Sequence, residues 1–284
     1  MLKNYLDYPV ETLELNPAGD RLIVLLHGFG ASTFSWRTVT EQLSKLGHVV
    51  AYDRPGFGST PLVARACVTP DPYSLAGQVE LLAAVVEREA KNRPVVLVGH
   101  SAGALVAAEF ALRHPGVTSA LVLESPAIWR KPPVPGSLAK LLRNPRFERR
   151  VERLLESFDK AGMKILTDSF FDSAKLTQDI VDGYRAPMNG NDWKRSLWRF
   201  MTADQSNAVR QHLADFDLPV FVVTGDHDKI VKVEDTFKVT ERIPGHSIYL
   251  VPEAGHLAHE ERPEDFIRVV RDFIVREVSD APRG

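Results

Sequence analysis

Six short apolar runs recur along the chain and alternate with longer segments whose apolar positions have helical spacing. The runs are residues 22–26, 48–52, 95–98, 120–123, 220–223 and 247–251. Most are almost continuously apolar, which is typical of strands covered on both faces of a sheet. The helical patterns fall at 33–46, 74–91, 102–114, 233–242 and 264–278. This alternation predicts an α/β fold with a mostly parallel central sheet and helices on both faces.

The alternation stops after Glu124 and resumes near Leu218. Residues 126–213 begin with several prolines and contain no convincing strand, but helical patterns appear at 138–142, 147–158, 177–184 and 193–201. We therefore expect a helical cap at 126–213, inserted into a core domain formed by residues 1–125 and 214–284. Ahead of the first apolar run, the alternating residues 12–15 predict an edge strand.

A candidate nucleophile stands between the run 95–98 and a helical pattern, in Gly99-His100-Ser101-Ala102-Gly103. A Gly-x-Ser-x-Gly motif between a strand and a helix is typical of a sharp turn that exposes the serine hydroxyl. The two glycines leave room for the turn and for close packing of helix on strand. Ser101 is therefore the predicted nucleophile.

A serine hydroxyl needs a base to act as a nucleophile near neutral pH. His256 follows the strand-like run 247–251 directly, so its imidazole is expected at the carboxyl end of the sheet, where it can accept the serine proton. His259 is the nearest competitor. Because it falls in or near the next helix, we expect it to face solvent or to pack there.

The third member of such a site is a carboxylate that orients the imidazole. Asp228, after the run 220–223, is the preferred candidate, and the order Ser101, Asp228, His256 is the one expected for this kind of motif. Two carboxylates compete with it. Asp226 is closer to the strand end and is expected to shape the turn, whereas Glu124 ends the run 120–123.

Acyl transfer also requires hydrogen-bond donors for the oxyanion. The loop His27-Gly28-Phe29-Gly30 follows the first strand of the series, and the backbone N–H groups of Phe29 and Ala102 are the predicted donors. We expect His27 to shape this loop through hydrogen bonds rather than to act as an acid or base.

Together these motifs resemble the α/β-hydrolase superfamily. They are the 27–30 loop, the turn Asp53-Arg54-Pro55-Gly56-Phe57-Gly58-Ser59, the 99–103 motif, the spacing of Gly225, Asp228 and Val231, and Gly255-His256, all in the superfamily's order. The resemblance covers about 22–125 and 214–275. It implies a serine hydrolase with the α/β-hydrolase fold.

Within the superfamily, the 53–59 turn resembles a branch of epoxide hydrolases, haloalkane dehalogenases, C–C bond hydrolases, perhydrolases and small esterases. Epoxide hydrolases and haloalkane dehalogenases use an aspartate nucleophile, so Ser101 argues against both. Leu257 stands where hydroxynitrile lyases carry lysine. Gly28-Phe29-Gly30-Ala31-Ser32 differs from the usual Gly-x-Gly-Pro-Gly loop of C–C hydrolases, and a long cap disfavours perhydrolases.

Composition changes this picture little. The formal net charge of −2 gives no reason to expect a nucleic-acid partner, and no apolar run approaches the length of a membrane span. The single cysteine, Cys67, excludes an intrachain disulfide. The N-terminal residues contain no apolar signal core, so we expect a cytoplasmic location. No clustered Cys and His ligands indicate a metal, and no cofactor is expected.

Aromatic and methionine side chains are frequent in 126–213, which favours an apolar pocket beneath the predicted cap. The sequence therefore predicts a hydrolase of moderately hydrophobic carboxylic esters that acts through an acyl-enzyme. Two alternatives stay open. The same residues could cleave C–C, amide or lactone bonds, or the chain could be a non-catalytic receptor or accessory protein of this fold. The sequence does not determine the oligomeric state.

Overall fold

The computed structural model describes residues 1–64, 69–129, 134–144, 146, 158–190 and 192–278. Its eight-stranded sheet has the spatial order β1-β2-β4-β3-β5-β6-β7-β8. The strands are β1 Leu2–Tyr5, β2 Tyr8–Leu15, β3 Leu22–Leu26, β4 His48–Tyr52, β5 Val95–His100, β6 Ala120–Glu124, β7 Val220–Gly225 and β8 Ser247–Val251. The strands from β3 to β8 pair in parallel, and β1 and β2 pair antiparallel. The predicted α/β architecture is confirmed.

Ten α-helices lie within the described residues. They are α1 Thr40–Ser44, α2 Leu75–Ala90, α3 Ala102–Arg113, α4 Gly136–Leu142, α5 Phe158–Asp168, α6 Gln178–Arg185, α7 Trp193–Thr202, α8 Val233–Thr240, α9 Ala258–Glu261 and α10 Pro263–Val278. The continuous helix predicted at 33–46 is wrong. A 3-10 helix occupies Thr33–Thr38 because tertiary bonds hold its ends: Thr33 N donates to Asp53, and Thr38 Oγ1 donates to the His259 carbonyl.

The predicted edge strand at 12–15 is the second half of the longer β2, and among the described strands it pairs with β4 alone. The first half of β2 pairs with β1, a strand that was not predicted from the sequence. Only four residues form β1, which is too short for an alternating pattern to stand out.

Consecutive residues of the parallel strands supply two separate cores, one on each face of the sheet. Ile23 packs in one core with Val96 and Phe273, whereas its neighbour Val24 packs in the other with Leu97. Successive side chains of a strand point to opposite faces, so these almost continuously apolar strands require cover on both sides. The carboxyl ends of the strands remain available for the candidate site.

Between β6 and β7, the described part of 126–213 contains helices and no strand. The helices predicted at 177–184 and 193–201 correspond to α6 and α7, and the one predicted at 147–158 lies almost wholly outside the described residues. The division into core and cap at 126 and 213 remains our proposal. No helix in the described ranges combines the length and apolar character needed to cross a bilayer.

Candidate active site

Ser101 lies on a strained turn between β5 and α3. Its backbone has φ 53° and ψ −113°, in a region that L-residues with a side chain rarely adopt. A Cβ atom at Gly99 would lie 2.6 Å from Ala104 Cα, and one at Gly103 would lie 2.1 Å from the Leu26 carbonyl oxygen. Both glycines are therefore required for the close approach of α3 to the sheet.

The loop after β3 passes directly beside Ser101. A Cβ atom at Gly28 would lie 3.3 Å from Ser101 Cβ and 2.8 Å from His100 Nδ1. This contact brings the segment that carries Phe29 next to the candidate nucleophile. On the other side, Ala102 is the first residue of α3, so its N–H has no partner within the helix.

His256 and Asp228 meet at the carboxyl ends of β7 and β8. Asp228 Oδ2 lies 2.8 Å from His256 Nδ1, and Asp228 Oδ1 accepts hydrogen bonds from the N–H groups of Ile230 and Val231 at 2.8 and 2.9 Å. Burial alone would raise the pKa of Asp228, but the charge and hydrogen bond of His256 and the hydrogen bond from Val231 N lower it overall. The aspartate is therefore ionised at neutral pH and fixes the imidazole orientation.

His100 joins the Ser101 turn to the His256 loop. Its Nε2 lies 3.0 Å from the His256 carbonyl oxygen, and the two ring centroids are 4.6 Å apart. Burial first, then the charge of His256, lowers the pKa of His100 to about 3. Within the described part of the chain, no hydrogen bond joins Ser101 Oγ to His256. The part that His100 plays in joining the two loops was not predicted from the sequence, where its position inside the Gly-x-Ser-x-Gly motif was the only signal.

Glu124 and His259 form a second buried carboxylate–imidazole pair, separate from the first. His259 Nδ1 lies 2.9 Å from Glu124 Oε1, and His259 N donates to the same oxygen at 3.1 Å. Burial raises the pKa of Glu124 to about 7 and lowers the pKa of His259 to about 4. His259 packs against Trp36, with ring centroids 4.4 Å apart. Of the two expectations for His259, facing solvent or packing, its complete burial agrees with packing.

Two further candidates have structural contacts. Asp226 Oδ1 lies 2.6 Å from His227 Nδ1 and 3.4 Å from Ala254 N, so it links two loops. His27 is fully buried, and its Nε2 accepts a hydrogen bond from Arg54 N at 3.0 Å. Burial, reinforced by the Arg54 charge, holds the pKa of His27 well below its usual value, so this ring is neutral.

Of the described residues, one group of three has the spacing of metal ligands: Glu14, His48 and Glu89. Lys3 already supplies a cation there, because its Nζ lies 2.9 Å from both Glu14 Oε2 and Glu89 Oε1. The group lies beside β1 and α2, at the opposite side of the sheet order from β7 and β8, which carry Asp228 and His256. It therefore acts as an ion-pair cluster that holds β1 against α2.

A cavity of about 390 Å³ lies between the 30–32 and 56–62 loops and the segment from α6 to α7. Its wall is chiefly apolar and includes Phe57, Leu62, Met188, Trp193 and Leu197. Asp192 is the only charged side chain among the described lining residues. Phe57 also contacts Phe29, with ring centroids 5.5 Å apart, which connects this wall to the loop beside Ser101.

Comparison with known proteins places the chain in a family. Residues 23–269 match the model of the alpha/beta hydrolase family. The chain is 27% identical over 259 residues to the uncharacterized hydrolase YugF of Bacillus subtilis (strain 168), covering 91% of each protein. It is 28% identical over 265 residues to monoacylglycerol lipase abhd6-A of Xenopus laevis, covering 91% of this chain and 76% of the lipase.

Among solved structures, the thermophilic esterase from Thermogutta terrifontis is similar in fold. It aligns with a TM-score of 0.76 at 20% identity and covers 95% of this chain and 94% of that one. At this identity the likeness concerns the fold alone. The family match spans most of the chain, so the protein belongs to the alpha/beta hydrolase family.

Proposed function

We propose that this chain hydrolyses carboxylic esters with Ser101 as nucleophile, His256 as base and Asp228 as the acid that orients it. The observation that carries the proposal is the 2.8 Å contact between Asp228 Oδ2 and His256 Nδ1, beside the strained turn of Ser101. A carboxylate in this position keeps a proton on Nδ1, which leaves Nε2 free to accept one.

The proposed reaction has two halves. His256 Nε2 takes the hydroxyl proton as Ser101 Oγ bonds to the ester carbonyl carbon, and the oxyanion is held by the N–H groups of Phe29 and Ala102. Collapse breaks the bond to the alcohol oxygen, which receives the proton from His256. In the second half, His256 deprotonates a water molecule that attacks the acyl carbon, and Ser101 leaves with its proton restored.

The described lining of the cavity does not include Ser101 or His256, so we assign it to the part of the substrate remote from the scissile bond, and its lining favours an uncharged group there. A cavity of about 390 Å³ is at the small end of ligand pockets, and its described lining offers no Lys, Arg or His to pair with a carboxylate. Asp192 adds a negative charge to this wall, which Arg195 Nη1 partly offsets at 3.4 Å. This favours neutral esters over the carboxylate-bearing substrates of a C–C bond hydrolase.

A matched pair of substrates tests the proposal. One is a dicarboxylic acid with both ends esterified, and the other is the half-ester of the same acid, so that they differ by one charge. We expect kcat/KM for the diester to exceed that for the half-ester by tenfold or more. Equal values, or faster hydrolysis of the half-ester or of a diketone acid, would contradict the proposed substrate class. No turnover of any of them would favour a non-catalytic member of the family.

A further inference from the structure

Glu261 is a buried carboxylate that the proposed reaction does not use. It ends α9, five residues after His256, and its side chain is almost fully buried. Its oxygens accept hydrogen bonds from three backbone N–H groups: Gly255 at 2.6 Å, Phe171 at 3.0 Å and Asp172 at 3.0 Å. Bonds to an ionised acceptor are stronger than those between neutral groups. One carboxylate thus holds both the residue before His256 and a segment from the predicted cap.

The same two parts of the chain are joined by bonds in the other direction. The Ser169 carbonyl accepts a hydrogen bond from His256 N at 2.7 Å, and Lys175 Nζ donates to the backbone carbonyl of Glu261 at 2.6 Å. Residues 169–175, named here the support segment, therefore contact the segment 255–261 through a backbone–backbone hydrogen bond and through the side chains of Lys175 and Glu261.

Gly255 shows how tightly this loop is enclosed. A Cβ atom there would lie 2.4 Å from the Ser169 carbonyl oxygen and 2.8 Å from Phe171 N. On the opposite side, a Cβ atom at Gly225 would lie 2.1 Å from the Gly255 carbonyl oxygen. The backbone next to His256 is thus packed between the end of β7 and the support segment, without room for a side chain.

We propose that Glu261 is a positioning residue, which sets the place of His256 by tying its loop to the support segment. The inference rests on the proposed function insofar as His256 is the base. It makes this part of the predicted cap a fixed support for the catalytic histidine.

The chemistry at this position requires a carboxylate. Both oxygens of an ionised glutamate are acceptors, and both face N–H groups here. Glutamine has nearly the same shape, but its amide nitrogen would face an N–H donor in either orientation. The amide oxygen satisfies most donors when it faces Phe171 N and Asp172 N, which leaves the NH₂ group against the Gly255 N–H. This should push the Gly255 backbone away from position 261 and move His256 with it. A misplacement of about 1 Å in a catalytic group can cost about a hundredfold in rate.

The test compares Glu261→Gln with Glu264→Gln, an exposed glutamate three residues further on. Steady-state kinetics on a neutral ester and the pH profile of kcat are measured, together with amide hydrogen exchange. For Glu261→Gln we expect kcat to fall about ten- to a hundredfold, KM to change less than about threefold and the pH profile to shift. Exchange should rise together in 169–172 and 254–257. Glu264→Gln should match wild type.

Several results would overturn the proposal. One is a folded Glu261→Gln variant with wild-type kcat, and another is a change in KM alone, which would make the support segment only a substrate wall. If Glu261→Gln does not fold, Glu261→Asp keeps two acceptor oxygens on a shorter side chain, and kcat should fall by a smaller factor. Unchanged kcat in that variant would contradict the inference.

The exchange measurement separates this inference from the proposed function. If the wild-type chain hydrolyses no ester, the proposed function fails, whereas joint loosening of 169–172 and 254–257 in Glu261→Gln still supports the link made by Glu261. If the two segments exchange independently of each other, the link is refuted even in an active esterase.

Discussion

Replacing Asp228 by asparagine changes one atom of the carboxylate and should reverse the orientation of the His256 proton. The two N–H groups of Ile230 and Val231, at 2.8 and 2.9 Å, hold one side-chain oxygen in place. The amide of asparagine keeps its oxygen toward these donors, so its NH₂ group must face His256 Nδ1. That nitrogen then has to accept a hydrogen bond, and the imidazole proton moves to Nε2.

An imidazole with its proton on Nε2 cannot take the proton of Ser101. We expect kcat for Asp228→Asn to fall by about 10³- to 10⁴-fold, as for the equivalent change in serine proteases. At about 1.4 kcal/mol for each factor of ten, this is roughly 4–6 kcal/mol of transition-state stabilisation. Steady-state hydrolysis of a chromogenic neutral ester measures it, with circular dichroism to verify folding.

Glu124→Gln is the matched control, because Glu124 is the other carboxylate at the ends of these strands. It contacts His259 instead of His256, and burial raises its pKa to about 7, so a neutral amide resembles the protonated acid. We expect kcat within about threefold of wild type. A loss as large as that of Asp228→Asn, or an Asp228→Asn variant with near wild-type rate, would refute the assignment of the acid.

Two further changes test other parts of the structure. Lys3→Met should lower the free energy of unfolding by about 2 kcal/mol near neutral pH, because Glu14 and Glu89 would lose their ammonium partner. Burial alone would raise the pKa of Glu14, but Lys3 and His48 lower it. The difference in stability between wild type and Lys3→Met should therefore shrink as the pH falls below about 4 and the carboxylate is protonated. Urea denaturation at several pH values measures this difference, and a value that stays constant with pH would contradict the prediction. Asp192→Lys should raise kcat/KM for the half-ester about three- to fivefold and leave the diester unchanged, whereas an equal effect on both would argue against the cavity as the binding site.

The sequence predicted the parallel strands and the motif turns well because local pattern determines them. Strands such as Leu22–Leu26 are apolar at every position, and Gly99 and Gly103 leave the room that the turn at Ser101 requires. A residue's neighbours along the chain carry this information. For the same reason, Asp228 could be preferred over Asp226 from its distance to the strand end alone.

Contacts between distant segments could not be predicted in this way. Glu261 bonds Phe171 across 90 positions, and Lys3 bonds Glu89 across 86, with no periodicity to indicate either pair. Within 33–46, the expected helix is replaced up to Thr38 by a 3-10 helix, and the Thr38 hydroxyl donates to the His259 carbonyl 221 positions away. Tertiary bonds of this kind override the local preference for a helix.

Modification of Ser101 by a fluorophosphonate probe tests the central claim most directly. The reagent forms a phosphorus–oxygen bond with an activated serine and releases fluoride, and peptide mass spectrometry locates the adduct. We expect one adduct on Ser101 in the wild-type chain and none in a folded Ser101→Ala variant, which should also lose ester hydrolysis. A folded wild-type chain that remains unlabelled, or a Ser101→Ala variant that is labelled and active, would contradict the account.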